Sequence, residues 1–174
     1  MFERDLLRRL EAAGIDYFVT GSVALGAWAT FRQTNDVDLV VRLTPAEYET
    51  RLRPAFEPDY IVKPLSVHEK KALGAVISIA EGMKADMIVR QSDGWGEAAF
   101  ARRVEVHDPA FGLVWVSSPE DLVIAKLEFS EGGRRTKQMG DCRVIIRTRP
   151  GLDWEYLERH GHALGLGSLL AALR

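Results

Sequence analysis

This 174-residue chain predicts an α+β fold of α/β-like character, a mixed twisted sheet flanked by helices with a C-terminal helical extension. Three observations carry the prediction. Apolar runs of strand length alternate with helical stretches up to about residue 116, and beyond it every periodic segment is helical. Two of the strand-like runs hold aspartates among apolar residues. One strand-to-helix junction is the pair Gly21-Ser22, a turn of the kind that opens a helix N-terminus to a ligand. Residues 1–116 therefore read as the sheet-bearing core and 117–174 as a helical subdomain.

Taken in order, Leu6, Leu7, Leu10 and Ala13 recur at helical spacing, and Gly14 closes the segment. Tyr17-Phe18-Val19 is a short strand running through Thr20-Gly21-Ser22 into an apolar helix over 23–30. Asp36-Val37-Asp38-Leu39-Val40-Val41 is the next strand. Thr44-Pro45-Ala46-Glu47 has the form of a capping box with proline in the first turn, and predicts a helix to about residue 53. Pro54, Pro58 and Pro64 then predict a loop-rich stretch with a short strand at 60–62 and a short helix over 66–73. Apolar runs at 75–80 and 85–89 flank Glu81-Gly82-Met83-Lys84 and predict a hairpin. A helix over 94–103 and strands at 104–106 and 113–116 complete the core. Ser118-Pro119-Glu120-Asp121 opens a helix to about 129, a second spans about 135–147, and two short helices follow the break at Pro150-Gly151.

Composition narrows the class. With 47% hydrophobic and 28% charged residues the chain is an ordinary soluble domain, and a net charge of −2 argues against coating a nucleic acid wholesale while leaving a local basic groove open. No apolar run is long enough for a membrane helix, and the charged start Met1-Phe2-Glu3-Arg4-Asp5 is unlike a signal peptide, so a cytoplasmic location without membrane partners is expected. Cys142 is the only cysteine, which excludes an internal disulfide or a thiolate cluster. The four histidines have no zinc-site spacing, and the four tryptophans are too scattered to predict a base-stacking platform.

Aspartate is a poor strand former and costly to bury, so its place in a strand needs a reason. Alternation puts Asp36 and Asp38 on one face and Val37, Leu39 and Val41 on the other. An edge strand carrying acids to block aggregation is one reading. A divalent-cation site is the other. Asp86, in Ala85-Asp86-Met87-Ile88-Val89, shares its face with Ile88 and Arg90. If that strand lies beside 36–41, three carboxylates meet. Such a set suits two-metal phosphoryl or nucleotidyl transfer, with Asp36 and Asp38 bridging two Mg²⁺ ions and Asp86 completing the ion at the acceptor hydroxyl.

Gly21, Ser22, Asp36, Asp38 and Asp86 together resemble the signature of the nucleotidyltransferase superfamily of the polymerase β type. The resemblance implies the nucleotidyltransferase fold, Mg²⁺, and a nucleoside triphosphate such as ATP held by the Gly-Ser turn. A wider likeness takes in Arg32 and Thr34 before the Asp-x-Asp pair, then Ser118-Pro119-Glu120-Asp121-Leu122, Lys126-Leu127, Lys137 and Asp141. This order is similar to that of bacterial AbiEii-toxin-related nucleotidyltransferases. It implies nucleotide-binding roles for Arg32, Thr34, Lys126 and Asp141, and a toxin or antitoxin partner.

Three functions compete at this stage. An active transferase would act on RNA or tRNA, a protein, or a small hydroxylated molecule. A silent member would keep the fold and bind a nucleotide or a partner, and a phosphohydrolase would use the same acids, usually with histidine. The intact acids favour the first.

Overall fold

The computed structural model describes residues 1–31, 34, 36–68, 71–90 and 94–174. Helix α1 (Phe2–Ala12) buries Phe2, Leu6, Leu7 and Leu10. Strand β1 (Tyr17–Val19) leads directly into α2 (Gly21–Trp28), and β2 spans Asp36–Val41. After α3 (Pro45–Glu47) and the π-helical turn Tyr48–Leu52 comes α4 (Arg53–Phe56), followed by β3 (Tyr60–His68), β4 (Lys71–Ser78) and β5 (Lys84–Arg90). Helix α5 (Gly94–Arg102), β6 (Val104–Asp108) and β7 (Gly112–Val116) end the strand-bearing half. The rest is helical: α6 (Pro119–Glu128), α7 (Thr136–Thr148), α8 (Trp154–Ala163) and α9 (Gly167–Ala171).

The strands form one mixed sheet in the order β3-β4-β5-β2-β1-β7-β6. β2 is its central strand, which removes the edge-strand reading of Asp36 and Asp38. It pairs antiparallel with β1 and parallel with β5, and the latter register sets Asp38 directly opposite Asp86 and Asp36 opposite Lys84. The hairpin expected from 75–89 is present as β4 and β5.

Two local expectations fail. Within 66–73, residues 66–68 and 71–73 are strand and not helix; they belong to the β3–β4 pair, in which Ser66 stands across from Leu73, while 69 and 70 lie outside the described residues. Pro64 is accommodated because β3 is an edge strand and its register shifts between Lys63 and Ser66, one of the few places where a strand tolerates proline. Pro54 likewise does not end its helix. The wide turn Tyr48–Leu52 precedes it, and helical backbone continues to Phe56.

The sheet and the helical tail share one hydrophobic core. Leu39, Met87 and Val116 from the strands and Leu122, Val123, Ile124, Leu127 and Ile145 from α6 and α7 are all buried in it. Cys142 lies there too, and burial pushes its thiol up to about 12, far from a reactive thiolate. Among the described residues, no helix is long and apolar enough to cross a membrane.

Candidate active site

The expected carboxylates stand where β1 ends and β2 and β5 begin. Thr20 N–H donates to the Asp38 carbonyl at 2.8 Å, locking the strand-to-helix turn against β2. The turn continues through Gly21 at φ +64°, a left-handed conformation that glycine adopts without steric cost. Packing imposes a second demand for glycine, because a Cβ at position 21 would stand 2.7 Å from Asp38 Cγ. The backbone of Gly21 thus lies against the Asp38 carboxylate. On the other side of the cluster Thr34 hydrogen-bonds the Asp36 backbone in both directions, at 3.1 and 3.3 Å, and fixes the start of β2.

Charge is crowded at this point. Asp36 is exposed and Asp38 half-buried. Burial, and next the Asp86 carboxylate, push the Asp38 carboxyl above the usual range; Lys126 opposes this, Asp36 adds to it and Lys84 opposes it. Lys84 compensates two of these acids directly, its Nζ 2.9 Å from Asp86 Oδ2 and 3.8 Å from Asp36 Oδ1. Among the described residues, no three His, Cys, Asp or Glu side chains are already drawn together as an ion-binding group. Asp36, Asp38 and Asp86 lie on adjacent strands, with Asp36 and Asp86 against the lysine. Their donor chemistry, hard carboxylate oxygen, is that of a Mg²⁺ or Mn²⁺ site.

The helical half closes the opposite wall. Lys126 and Asp141 form a buried ion pair at 2.8 Å between α6 and α7. Lys126 faces the cleft, whereas Asp141 is not part of its lining and reaches it only as the partner of Lys126. Near the start of α6, Asp121 is 1% exposed and accepts three side-chain hydrogen bonds, from Trp95 Nε1 at 2.8 Å, Tyr156 OH at 2.6 Å and Ser118 Oγ at 2.6 Å. Burial raises its carboxyl pKa, and these donors oppose the rise. Farther along the cleft Glu128 is held between Arg90, at 2.9 and 3.2 Å, and Lys71, at 3.3 Å. Arg90 lies over the Trp95 ring and Lys71 over Phe129.

These walls enclose a cleft of about 440 Å³. Of the residues expected from sequence, Gly21, Ser22, Thr34, Asp36, Asp38, Asp86 and Lys126 line it together. Arg32 lies outside the described residues. Sequence reasoning missed Lys84, Asp121 and the Arg90–Glu128 pair. Asp121 left a faint signal, since Ser118 caps α6 by accepting from Asp121 N–H and so turns that acid inward. Lys84 left none without the register of β2 on β5.

No family model matches the sequence, and no curated protein resembles it closely enough to count as a relative. Solved structures do. The solution structure of the antibiotic-resistance factor ANT(2'')-Ia superposes with a TM-score of 0.61 at 16% identity, over 97% of this chain and 91% of that one. The crystal structure of ANT(2'')-Ia with adenylyl-2''-tobramycin gives 0.57 at 14% identity, over 91% and 92%. The candidate nucleotidyltransferase TM1012 of Thermotoga maritima gives 0.51 at 18% identity, over 79% and 92%. The chain has the nucleotidyltransferase fold.

Proposed function

We propose that this protein is a nucleotidyltransferase that moves a nucleoside monophosphate from a nucleoside triphosphate to an acceptor hydroxyl. One observation supports the reading above the others: Asp38 and Asp86 face each other across β2 and β5, beside Asp36 and under the Gly21 turn. The residues that would hold divalent cations are Asp36, Asp38 and Asp86. When bound, two Mg²⁺ ions would neutralise phosphate charge and make the acceptor hydroxyl more acidic.

The chain's own groups account for the rest. Backbone N–H groups at Gly21 and Ser22, the first residues of α2, would receive phosphate oxygens. Lys126, held in place by Asp141, would meet the triphosphate across the cleft. Asp86 would accept the proton of the acceptor hydroxyl as its oxygen bonds to the α-phosphorus and pyrophosphate departs with the electrons of the broken P–O bond.

A cleft of about 440 Å³ is of the size that small-molecule sites occupy, and the neighbouring ANT(2'')-Ia was crystallised with an adenylylated antibiotic. The acceptor proposed is therefore a small hydroxylated molecule, with ATP as the first donor to test. A toxin–antitoxin role would rest on residue order alone, Arg32 and Thr34 before the Asp-x-Asp pair and then Ser118 to Asp141. The test is incubation with Mg²⁺ and each labelled nucleoside triphosphate against free aminoglycosides, total RNA and a cell extract, with Asp36→Asn/Asp38→Asn as control. Label on a small molecule that disappears in the control supports the proposal. Label confined to RNA or protein replaces the acceptor. No transfer at all, with nucleotide binding indifferent to Mg²⁺, overturns the enzyme reading in favour of a silent nucleotide-binding protein.

A further inference from the structure

The carboxylate cluster contains a cation of its own. Lys84 occupies the first position of β5, opposite Asp36 in the parallel register, and its ammonium reaches Asp86 at 2.9 Å and Asp36 at 3.8 Å. It therefore binds the outer acid of β2 and the acid of β5 at once. The side chains of Lys84 and Asp86 are each about one-third exposed, so water and ions reach the contact. An ammonium on these oxygens uses donor electrons that a divalent cation would need, and it repels that cation.

We infer that Lys84 is a built-in counter-ion that competes with divalent metal for Asp86 and Asp36, so that metal loads fully only when the lysine has been drawn away. A triphosphate at Gly21-Ser22 supplies the displacing charge: its anionic oxygens attract the ammonium and free the Asp86 carboxylate. Metal binding is then weak in the free protein and strengthened by nucleotide, which couples loading of the metal to the presence of substrate. The inference rests on the proposed metal role of Asp36, Asp38 and Asp86.

The experiment is Mn²⁺ titration of the free protein, followed by electron paramagnetic resonance of unbound Mn²⁺, for wild type, Lys84→Met, Lys84→Arg and Asp86→Asn. Thermal melts establish that each variant is folded. Lys84→Met is expected to bind Mn²⁺ about tenfold more tightly than wild type, as removal of a partly exposed competing charge should produce. Lys84→Arg should stay near wild type, and a non-hydrolysable ATP analogue should tighten Mn²⁺ binding in wild type more than in Lys84→Met. Equal or weaker Mn²⁺ binding by Lys84→Met, with binding still dependent on Asp86, overturns the role of Lys84 and leaves the metal site standing. Absence of Asp86-dependent binding in every variant overturns both.

Discussion

Two independent constraints meet at Gly21, a φ of +64° and the Asp38 carboxylate that fills the space a side chain would take. Gly21→Ala should cost about 2 kcal/mol or more in urea unfolding and displace Asp38 from its place in the cluster. The two causes separate in a double-mutant cycle. In an Asp38→Gly background the steric part vanishes and only the backbone penalty, about 1 kcal/mol, should remain. Far from the site, Asp5 on α1 gives a pH prediction. Burial pushes its carboxyl upward, but hydrogen bonds from Arg9, Arg8 and Tyr60 outweigh this and bring it down to about 2. Its folded value thus lies below the unfolded value of 3.8, so its stabilisation is complete above that pH and is lost as pH falls through about 2. Asp5→Asn should lower stability by roughly 1–2 kcal/mol at pH 7 after solvent screening, and by only a small fraction of that near pH 2, in parallel denaturant melts.

Helix α6 fixes the cleft wall through Asp121, which joins α5 by Trp95 and α8 by Tyr156. Asp121→Ala would leave the Trp95 and Tyr156 donors without their acceptor in a buried place, a cost of roughly 3 kcal/mol or more in equilibrium melts. Tyr156→Phe removes one donor and leaves Asp121 with Trp95 and Ser118, so about 1 kcal/mol is expected. Equal losses from the two substitutions would show that Asp121 is not the shared anchor. What was legible in the sequence follows the same physics. β2 and β5 were readable because acids interrupt an apolar alternation, a local pattern that survives without knowledge of partners. Of β3 only the start at 60–62 was readable, since beyond it Lys63 and Val67 follow no clean alternation around Pro64 and the shift after Lys63. Lys84 read as a turn residue because its meaning comes from a strand more than forty residues earlier in the chain. Asp121 read as helix-opening decoration because its partners arrive from α5 and α8.

At the scale of the molecule, the change of character at residue 117 marks a change of secondary structure within one packed body. Leu122, Val123, Ile124 and Leu127 of α6 are each no more than 1% exposed and belong to the same core as Leu39, Met87 and Val116 of the sheet. Backbone and side-chain bonds also cross the boundary: Ser117 N–H donates to Val19 at 3.0 Å, Trp28 Nε1 to Ser117 at 2.7 Å, and Arg149 Nε to the Trp28 carbonyl at 2.9 Å. A chain ended at Val116 would lose these anchors and present a large apolar area to water, several kcal/mol of lost burial for α6 alone. Such a chain is expected not to fold, and the intact protein to unfold in one cooperative step, with tryptophan fluorescence and far-ultraviolet circular dichroism giving coincident transitions. The tryptophans sample both halves, Trp28, Trp95 and Trp115 before the boundary and Trp154 after it. Replacing Trp154 with Phe should therefore leave the midpoint seen by fluorescence equal to that seen by circular dichroism. Two separated transitions, or a soluble folded 1–116 fragment, would mean that the sheet stands alone. The cleft would then be an interface between two bodies, with Lys126 free to move relative to Asp38. Coincidence instead makes the distance between the helical wall and the carboxylates a property of the core, so that substrate meets a cleft already formed by folding.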